Sequence, residues 1–276
     1  MTAEQQIRKG YLDTSRGQIH FRETGVGAPV VLLHWGPGHG EQYNAILAAL
    51  AADGCRAIAA DLPGFGMSLR RVGHWSIADF ADNLIESLGA WGVEQCTLVG
   101  GHLASLIAIE TALRVPQRIR LLVLDGTPTW DQKTRDQIIA NATHNQAPPD
   151  EAGDHLQSLW KHLLWETAMW RPNVPFSAEL GQFAMGLLKA KMLADFDMRP
   201  GRALAEYDAC AALGRLQVPV LAVTADDDPL NNCHQQVLEL APDCTGHVFT
   251  GDHPIHNQQR AGEYAGPILD AMKDCI

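Results

Sequence analysis

The chain has 276 residues, of which 46% are apolar and 19% charged, and its formal net charge is −11 at pH 7. This length and composition allow a large core and one α/β domain with an inserted segment. The negative charge would repel phosphate backbones and anionic lipid heads, so neither nucleic acid nor a membrane is expected as a partner. The sequence also has no run of about 20 consecutive apolar residues, the length needed to cross a bilayer.

The N-terminus and the cysteines indicate the compartment. Residues 1–9 are polar and lack the apolar core of a secretory signal, which predicts a cytoplasmic protein. The six cysteines are scattered without paired spacing, and we interpret them as reduced thiols and not as a disulfide frame or a zinc site. We expect no metal and no cofactor, and the sequence carries no signal for the oligomeric state.

Short apolar runs alternate with helical stretches along the chain, which predicts a parallel sheet with helices on both faces. The strand-like runs are 30–33, 56–60, 97–99, 121–124, 218–223 and 247–250. Strand signals vanish over residues 126–205, where four of the seven tryptophans concentrate. Within that stretch, apolar residues at helical spacing predict helices over 155–169 and 178–193.

Three glycine-containing turns follow the first three runs. They are His-Trp-Gly-Pro-Gly at 34–38, Asp-Leu-Pro-Gly-Phe-Gly-Met-Ser at 61–68, and Gly-Gly-His-Leu-Ala at 100–104. In this order they resemble the α/β-hydrolase superfamily. The first is similar to the His-Gly-Gly-Pro-Gly oxyanion loop of proline iminopeptidases and their relatives, with Trp35 replacing a glycine. The second is similar to the family's Asp-x-x-Gly-x-Gly-x-Ser turn, and the third stands where Gly-His-Ser-x-Gly is usual.

The resemblance implies an α/β-hydrolase fold: a mostly parallel central sheet flanked by helices, with an inserted helical cap. We therefore expect residues 1–125 and 206–276 to form the core and residues 126–205 to form the cap. Trp160 and Trp165 of the cap, together with His34 of the core, are candidates for lining the substrate pocket, although a cap also needs aromatic residues for its own packing.

The nucleophile turn holds no serine. In this fold a sharp strand-to-helix turn presents the nucleophile, and small residues two positions before and after it let the backbones pass closely. Gly100 and Ala104 meet that requirement around His102. A shifted register would place Leu103 at the turn instead, but the preceding strand favours His102. Neither register supplies Ser, Cys or Asp.

The other members of a catalytic triad are present. His253 follows the last strand-like run and resembles the family's general base, whereas His256 matches a variable position. Asp228, in a turn that looks like Gly-x-x-Asp-Pro, is favoured as the acid that orients His253. Asp125 is the rival, because lactonases and cofactor-free dioxygenases of this superfamily place the acid at the end of the preceding strand.

The oxyanion hole should persist whatever replaced the nucleophile. The family pattern assigns it to the backbone N–H of Leu103 and that of Trp35 or Gly36, which would stabilise a developing negative charge. His102 could then attack a carbonyl directly, act as a general base, or be structural. A fourth alternative is a metal held by His34, His102 and His253, together with Asp125, but the sequence spacing of the histidines carries no metal signature.

Two classes of function follow from these residues. The first is an enzyme that hydrolyses an ester, a lactone or a carbon–carbon bond of a small, mostly apolar carbonyl compound, with His102 in place of serine and His253 as the base. Non-hydrolytic dioxygenase or lyase chemistry by a His–Asp dyad is a variant of it. The second is a catalytically silent protein that binds a small molecule. Retention of a base, an acid and an oxyanion loop favours the enzyme.

Overall fold

The computed structural model describes residues 7–70, 73–141, 150–170, 178–193 and 200–275. Its strands are β1 Arg8–Thr14, β2 Gly17–Thr24, β3 Ala28–Leu33, β4 Cys55–Ala60, β5 Cys96–Gly101, β6 Ile119–Asp125, β7 Val220–Ala225 and β8 Cys244–Phe249. They form one sheet in the order β1-β2-β4-β3-β5-β6-β7-β8. Only the pairings of β1 with β2 and of β2 with β4 are antiparallel within the described chain. The α/β-hydrolase fold predicted from the motifs is confirmed.

The described helices are α1 Asn44–Ala52, α2 Ile77–Ala90, α3 Leu103–Arg114, α4 Gln132–Asn141, α5 Asp154–Trp170, α6 Ala178–Leu193, α7 Pro200–Glu206, α8 Ala209–Leu213, α9 Asn231–Leu240 and α10 Ala261–Asp274. Helices α1 and α10 pack together against one face of the sheet, while α2 and α3 pack together against the other. None of the helices in the described ranges is long and apolar enough to cross a membrane.

Strand β3 shows why the central strands are continuously apolar. Val31 and Leu33 belong to the core cluster on the α2–α3 side, and Val30 and Leu32 to the cluster on the α1–α10 side. Successive side chains of a strand point to opposite faces, so a parallel strand covered on both sides must be apolar at every position. The carboxyl ends of these parallel strands all lie at the same edge of the sheet, and the candidate site residues lie at or just beyond them.

The stretch between β6 and β7 is helical where it is described. Helix α5 extends the predicted helix by one residue at each end, and α6 has the predicted bounds. These two helices pack on each other, and α4 packs on α7. The division into a core and a cap over 126–205 stays a prediction.

Candidate active site

His102 occupies the turn between β5 and α3. Its backbone has φ 49° and ψ −113°, a left-handed conformation that costs a non-glycine residue about 1–3 kcal/mol. A Cβ on Gly100 would lie 2.3 Å from the carbonyl oxygen of Ala104, so the turn closes only with glycine at position 100. The His102 N–H donates to the carbonyl of Asp125 at 2.8 Å. The register that places His102 at the turn is therefore the one observed.

Asp228 holds the imidazole ring of His102. The distance from His102 Nε2 to Asp228 Oδ2 is 3.0 Å, and the Leu230 N–H donates to Asp228 Oδ1 at 2.7 Å. Burial alone would raise the pKa of Asp228, but the hydrogen bond from His102 and the nearby imidazole charges hold it below its ordinary value. Because Asp228 is a carboxylate, Nε2 is the donor, and in the neutral ring Nδ1 carries the lone pair.

Gly126 makes room for this ring. A Cβ at position 126 would lie 2.7 Å from His102 Cδ2 and 3.1 Å from Asp228 Oδ2, and the residue has φ +59°. Glycine is favoured there by the backbone conformation and by the close approach of the dyad.

A second His–Asp pair lies deeper. His253 Nε2 is 3.0 Å from Asp125 Oδ1, and their side chains are 1% and 0% exposed. The Tyr264 hydroxyl donates to Asp125 Oδ2 at 2.8 Å. The Ile255 N–H donates to His253 Nδ1 at 3.3 Å, so the neutral ring carries its proton on Nε2. Burial would lower the pKa of His253, but the charge of Asp125 and the hydrogen bond to it raise the value above the ordinary one.

The pairing of the aspartates corrects the sequence-based preference. Asp125, and not the favoured Asp228, is hydrogen-bonded to His253, while Asp228 is bonded to His102. Asp125 is the last residue of β6, and Asp228 lies three residues beyond the end of β7. The β7 turn carries Asp228 to the strand-to-helix turn, which leaves Asp125 beside His253.

A buried cluster of two aspartates and one histidine is the candidate for a metal site. Among the described residues, single ligand atoms of Asp125, Asp228 and His253 lie within 4.8 Å of one another. His253 Nδ1 already accepts a backbone hydrogen bond, so Nε2 keeps its proton and has no lone pair to offer a cation. The donor set suits a hydrogen-bonded network better than a metal.

Trp35 fills the space above the turn. Its ring lies parallel to that of His102, with centroids 4.0 Å apart and planes at 11°, and it meets the rings of His253 and His256 edge-on at 4.8 and 5.2 Å. A Cβ at Gly101 would lie 1.8 Å from Trp35 Cδ1. Sequence reasoning assigned only the backbone of Trp35 a role. The sequence did carry a signal that a large side chain packs against this turn. Gly101, the second glycine of Gly-Gly-His, stands where the family usually has histidine, and it leaves the space that the indole fills.

His34 supports the loop from beneath. Its side chain is fully buried, its Nδ1–H donates to the Trp35 carbonyl at 2.8 Å, and its Nε2 accepts from the Leu62 N–H at 2.9 Å. Burial lowers the pKa of His34 to about 4, so the ring is neutral. Both ring nitrogens of His34 are hydrogen-bonded to backbone groups, so His34 lies under the loop at residues 34–38 and not on a wall of the described cavity. The expectation that His34 lines the substrate pocket is thereby corrected.

A cavity of about 360 Å³ adjoins the loop at residues 34–38. Its described lining residues are Trp35, Gly36, Pro37, Gly38, His39, Glu41, Gln42, Gly186, Leu187, Lys189, Ala190, Ile255, His256 and Gln258. Neither His102 nor His253 is among them, whereas Trp35 both lines the cavity and stacks on the His102 ring. Trp160 is half-buried in α5 and is not in this lining, and the side chain of Trp165 lies outside the described residues.

The residues predicted for the oxyanion hole lie close together. Leu103 is the first residue of α3, where backbone N–H groups have no partner within the helix. A Cβ built on Gly36 would be 3.7 Å from Leu103 Cδ2, which places the loop directly beside the helix start. The oxyanion hole itself stays a prediction.

Comparison with known proteins agrees with this architecture. A family model described as alpha/beta hydrolase fold matches residues 28–256. Haloalkane dehalogenase 2 of Mycobacterium bovis is 32% identical over 125 residues, which are 45% of this chain and 43% of the dehalogenase. The match therefore spans less than half the length of that relative. A haloalkane dehalogenase of Mycolicibacterium paratuberculosis is 27% identical over 270 residues, covering 93% of this chain and 88% of that protein.

Solved structures give the same result for the fold. An esterase from Exiguobacterium antarcticum superposes with a TM-score of 0.75 at 16% identity, covering 96% of this chain and 100% of the esterase. At that identity the likeness concerns the fold alone. Together with the family model, which matches most of the chain, it shows that the protein belongs to the α/β-hydrolase superfamily, and the relatives named here are hydrolases.

Proposed function

We propose that the protein hydrolyses a small, mostly apolar carbonyl compound, an ester or a lactone, with the Asp228–His102 dyad as the general base. The observation that carries this proposal is the 3.0 Å contact between His102 Nε2 and Asp228 Oδ2 at the strained turn. In a Ser-His-Asp triad an aspartate orients the histidine in the same way, and the opposite ring nitrogen takes the proton. Here the histidine itself stands at the nucleophile position.

The reaction balances with water as the only co-substrate. His102 Nδ1 accepts a proton from a water molecule whose oxygen attacks the carbonyl carbon, giving a tetrahedral oxyanion. Backbone N–H groups of Leu103 and of Trp35 or Gly36 stabilise that oxyanion. Collapse breaks the bond to the alkoxide leaving group, and the His102 cation returns the proton to it. The products are an acid and an alcohol, or a hydroxy acid from a lactone.

His253 has a different task in this proposal. Its side chain is 1% exposed, against 12% for that of His102, and its Nε2–H donates to Asp125, so it is less accessible to water than His102. We assign the general base to His102 for this reason, although the sequence pattern had favoured His253. The His253–Asp125 pair fixes the loop that carries His256 to the cavity wall.

The cavity beside the oxyanion loop is the proposed substrate pocket. Its volume of about 360 Å³ lies at the low end of the range of small-molecule sites. Trp35, Pro37, Leu187 and Ile255 give it apolar walls, which suits a small, mostly apolar substrate. Small-molecule hydrolysis is also what the related hydrolases suggest.

The proposal is tested with a panel of chromogenic short-chain esters and lactones, assayed with the wild type and with His102→Ala. Removing a general base should lower kcat by about a hundredfold or more. A matched control is His74→Ala, which removes a histidine outside the site. Equal turnover by the wild type and folded His102→Ala would contradict the proposal. Absence of turnover by both would favour ligand binding or non-hydrolytic chemistry.

Direct attack by His102 is the competing mechanism for the same hydrolysis. An acyl-imidazole would then form and accumulate, and stopped-flow records would show a burst of alcohol release before the steady state. General-base catalysis predicts linear release from the first turnover.

A further inference from the structure

The indole of Trp35 forms a wall between the cavity and His102. It lines the cavity, it is only 5% exposed, and it covers one face of the His102 ring with centroids 4.0 Å apart. The His102 side chain is 12% exposed. A compound that reaches His102 from the cavity must therefore pass the edge of this indole.

The wall is held rigidly in place. A Cβ at residue 101 would lie 1.8 Å from Trp35 Cδ1 and 1.9 Å from Trp35 Nε1, so the indole occupies volume that any other residue at 101 would need. His253 and His256 meet the indole edge-on on the side of the last loop. A large aromatic ring packed among a glycine and three histidine rings has little freedom to change rotamer.

We propose that the Trp35 side chain is the specificity-determining residue of the site, because it limits the size of the group that can approach His102. The carbonyl substituent on the His102 side must be small, while the rest of the molecule occupies the apolar cavity. This inference rests on the proposed hydrolysis for its substrate class. The size limit itself is a property of the wall, and it applies to any acylating compound.

Acylation of His102 measures the size limit without requiring turnover. Diethyl pyrocarbonate and the bulkier di-tert-butyl dicarbonate both acylate imidazole, and mass spectrometry of peptides reports the rate at each histidine. His74, whose side chain is 38% exposed and lies outside the site, provides the intrinsic ratio of the two reagents. Wild type, Trp35→Phe and Trp35→Ala are compared, and each variant keeps the backbone N–H at position 35.

The measured quantity is the acylation rate with the bulky reagent divided by that with the small reagent, at His102 relative to His74. In Trp35→Ala this relative ratio should rise about tenfold over the wild type, which is the scale of one hydrophobic contact in a pocket. The relative ratio of Trp35→Phe should lie between those of the wild type and Trp35→Ala. An unchanged ratio would overturn the proposal. The same comparison with esters of short and branched acids should show the same order in kcat/KM. A change in labelling without turnover by any of the three proteins would contradict the hydrolase and leave the wall standing.

A double-mutant cycle tests the packing on which the wall depends. Gly101→Ala should destabilise the wild type because its Cβ meets the indole, and it should be nearly neutral in Trp35→Ala, where that space is empty. Additive losses of stability would show that the indole does not occupy the space at residue 101, and would contradict the proposal from a measurement that is independent of labelling.

Discussion

The two His–Asp pairs at the edge of the sheet consist of the same residue types, and in both the histidine Nε2 lies 3.0 Å from an aspartate oxygen, but their surroundings differ. The His253–Asp125 pair is buried, and Tyr264 and Ile255 complete its hydrogen bonds. His102 is partly exposed and sits at a strained turn. The difference teaches that a His–Asp contact does not by itself define a catalytic dyad. The two imidazole rings also differ in exposure, which is 12% for His102 and 1% for His253.

The largest effect on activity is expected from the more exposed pair, His102 and Asp228, which we call the outer pair. Asp228→Asn would let the amide donate to His102 and favour the wrong tautomer, so kcat should fall by about a hundredfold or more while the protein stays folded. Steady-state kinetics with an active ester and circular dichroism of the same preparation check both parts. Asp226→Asn, two residues away, is the matched control. Full activity of Asp228→Asn would remove the outer pair from the mechanism.

The largest effect on stability is expected from the buried pair, His253 and Asp125. Asp125→Asn removes the carboxylate from a buried imidazole, which should cost about 3–5 kcal/mol of unfolding free energy, as for other broken buried pairs. Urea denaturation of this variant and of Asp228→Asn gives the comparison. A greater loss in Asp228→Asn would reverse the roles of the two pairs.

The pH dependence of that loss has a definite sign. The pKa of His253 is raised in the folded state, so the pair's contribution is complete below the ordinary value of 6.5 and is lost as pH rises through the raised pKa. The stability difference between wild type and Asp125→Asn should therefore narrow at alkaline pH. A stability difference that stays constant or widens at alkaline pH would show that Asp125 does not raise the pKa of His253.

We expect His34 to give a smaller pH effect on stability, of the opposite sign to that of His253. Its pKa is lowered from 6.5 to about 4, so the unfolded chain binds the proton first and stability falls as pH decreases between these values. The loss should reach about 3 kcal/mol at most, from the size of the shift. Urea titrations of wild type and His34→Gln over this range measure it. Parallel curves for the two proteins would show that His34 is not the buried group responsible.

Sequence patterns predicted the fold well, because buried parallel strands are apolar at every position. The run at 30–33 lies within β3 and the run at 121–124 lies within β6. The small residues around His102 also identified the turn correctly. The antiparallel hairpin of β1 and β2 carried no comparable run and was not anticipated.

The pairing within the site could not be predicted from local motifs. Asp125 ends β6 and Asp228 follows the neighbouring strand β7, and which of them meets His253 depends on how the β7 turn curves over the sheet. Likewise, the shape of a histidine-glycine loop does not reveal that His34 lies beneath it or that the indole of Trp35 lies above His102. The contacts of Asp125 with His253, of Asp228 with His102 and of Trp35 with His102 join residues far apart in sequence, so they follow from packing and not from spacing.

The most direct test of the account is a double-mutant cycle in catalysis, with kcat/KM measured for wild type, His102→Ala, Asp228→Asn and the double variant. Groups that act as one unit show strongly non-additive losses. If His102 and Asp228 form a dyad, the double variant is about as slow as His102→Ala alone, because Asp228 acts only through the ring that it orients. Losses that add across the two substitutions would contradict a dyad, and a wild type that turns over no substrate of the panel would contradict the hydrolase.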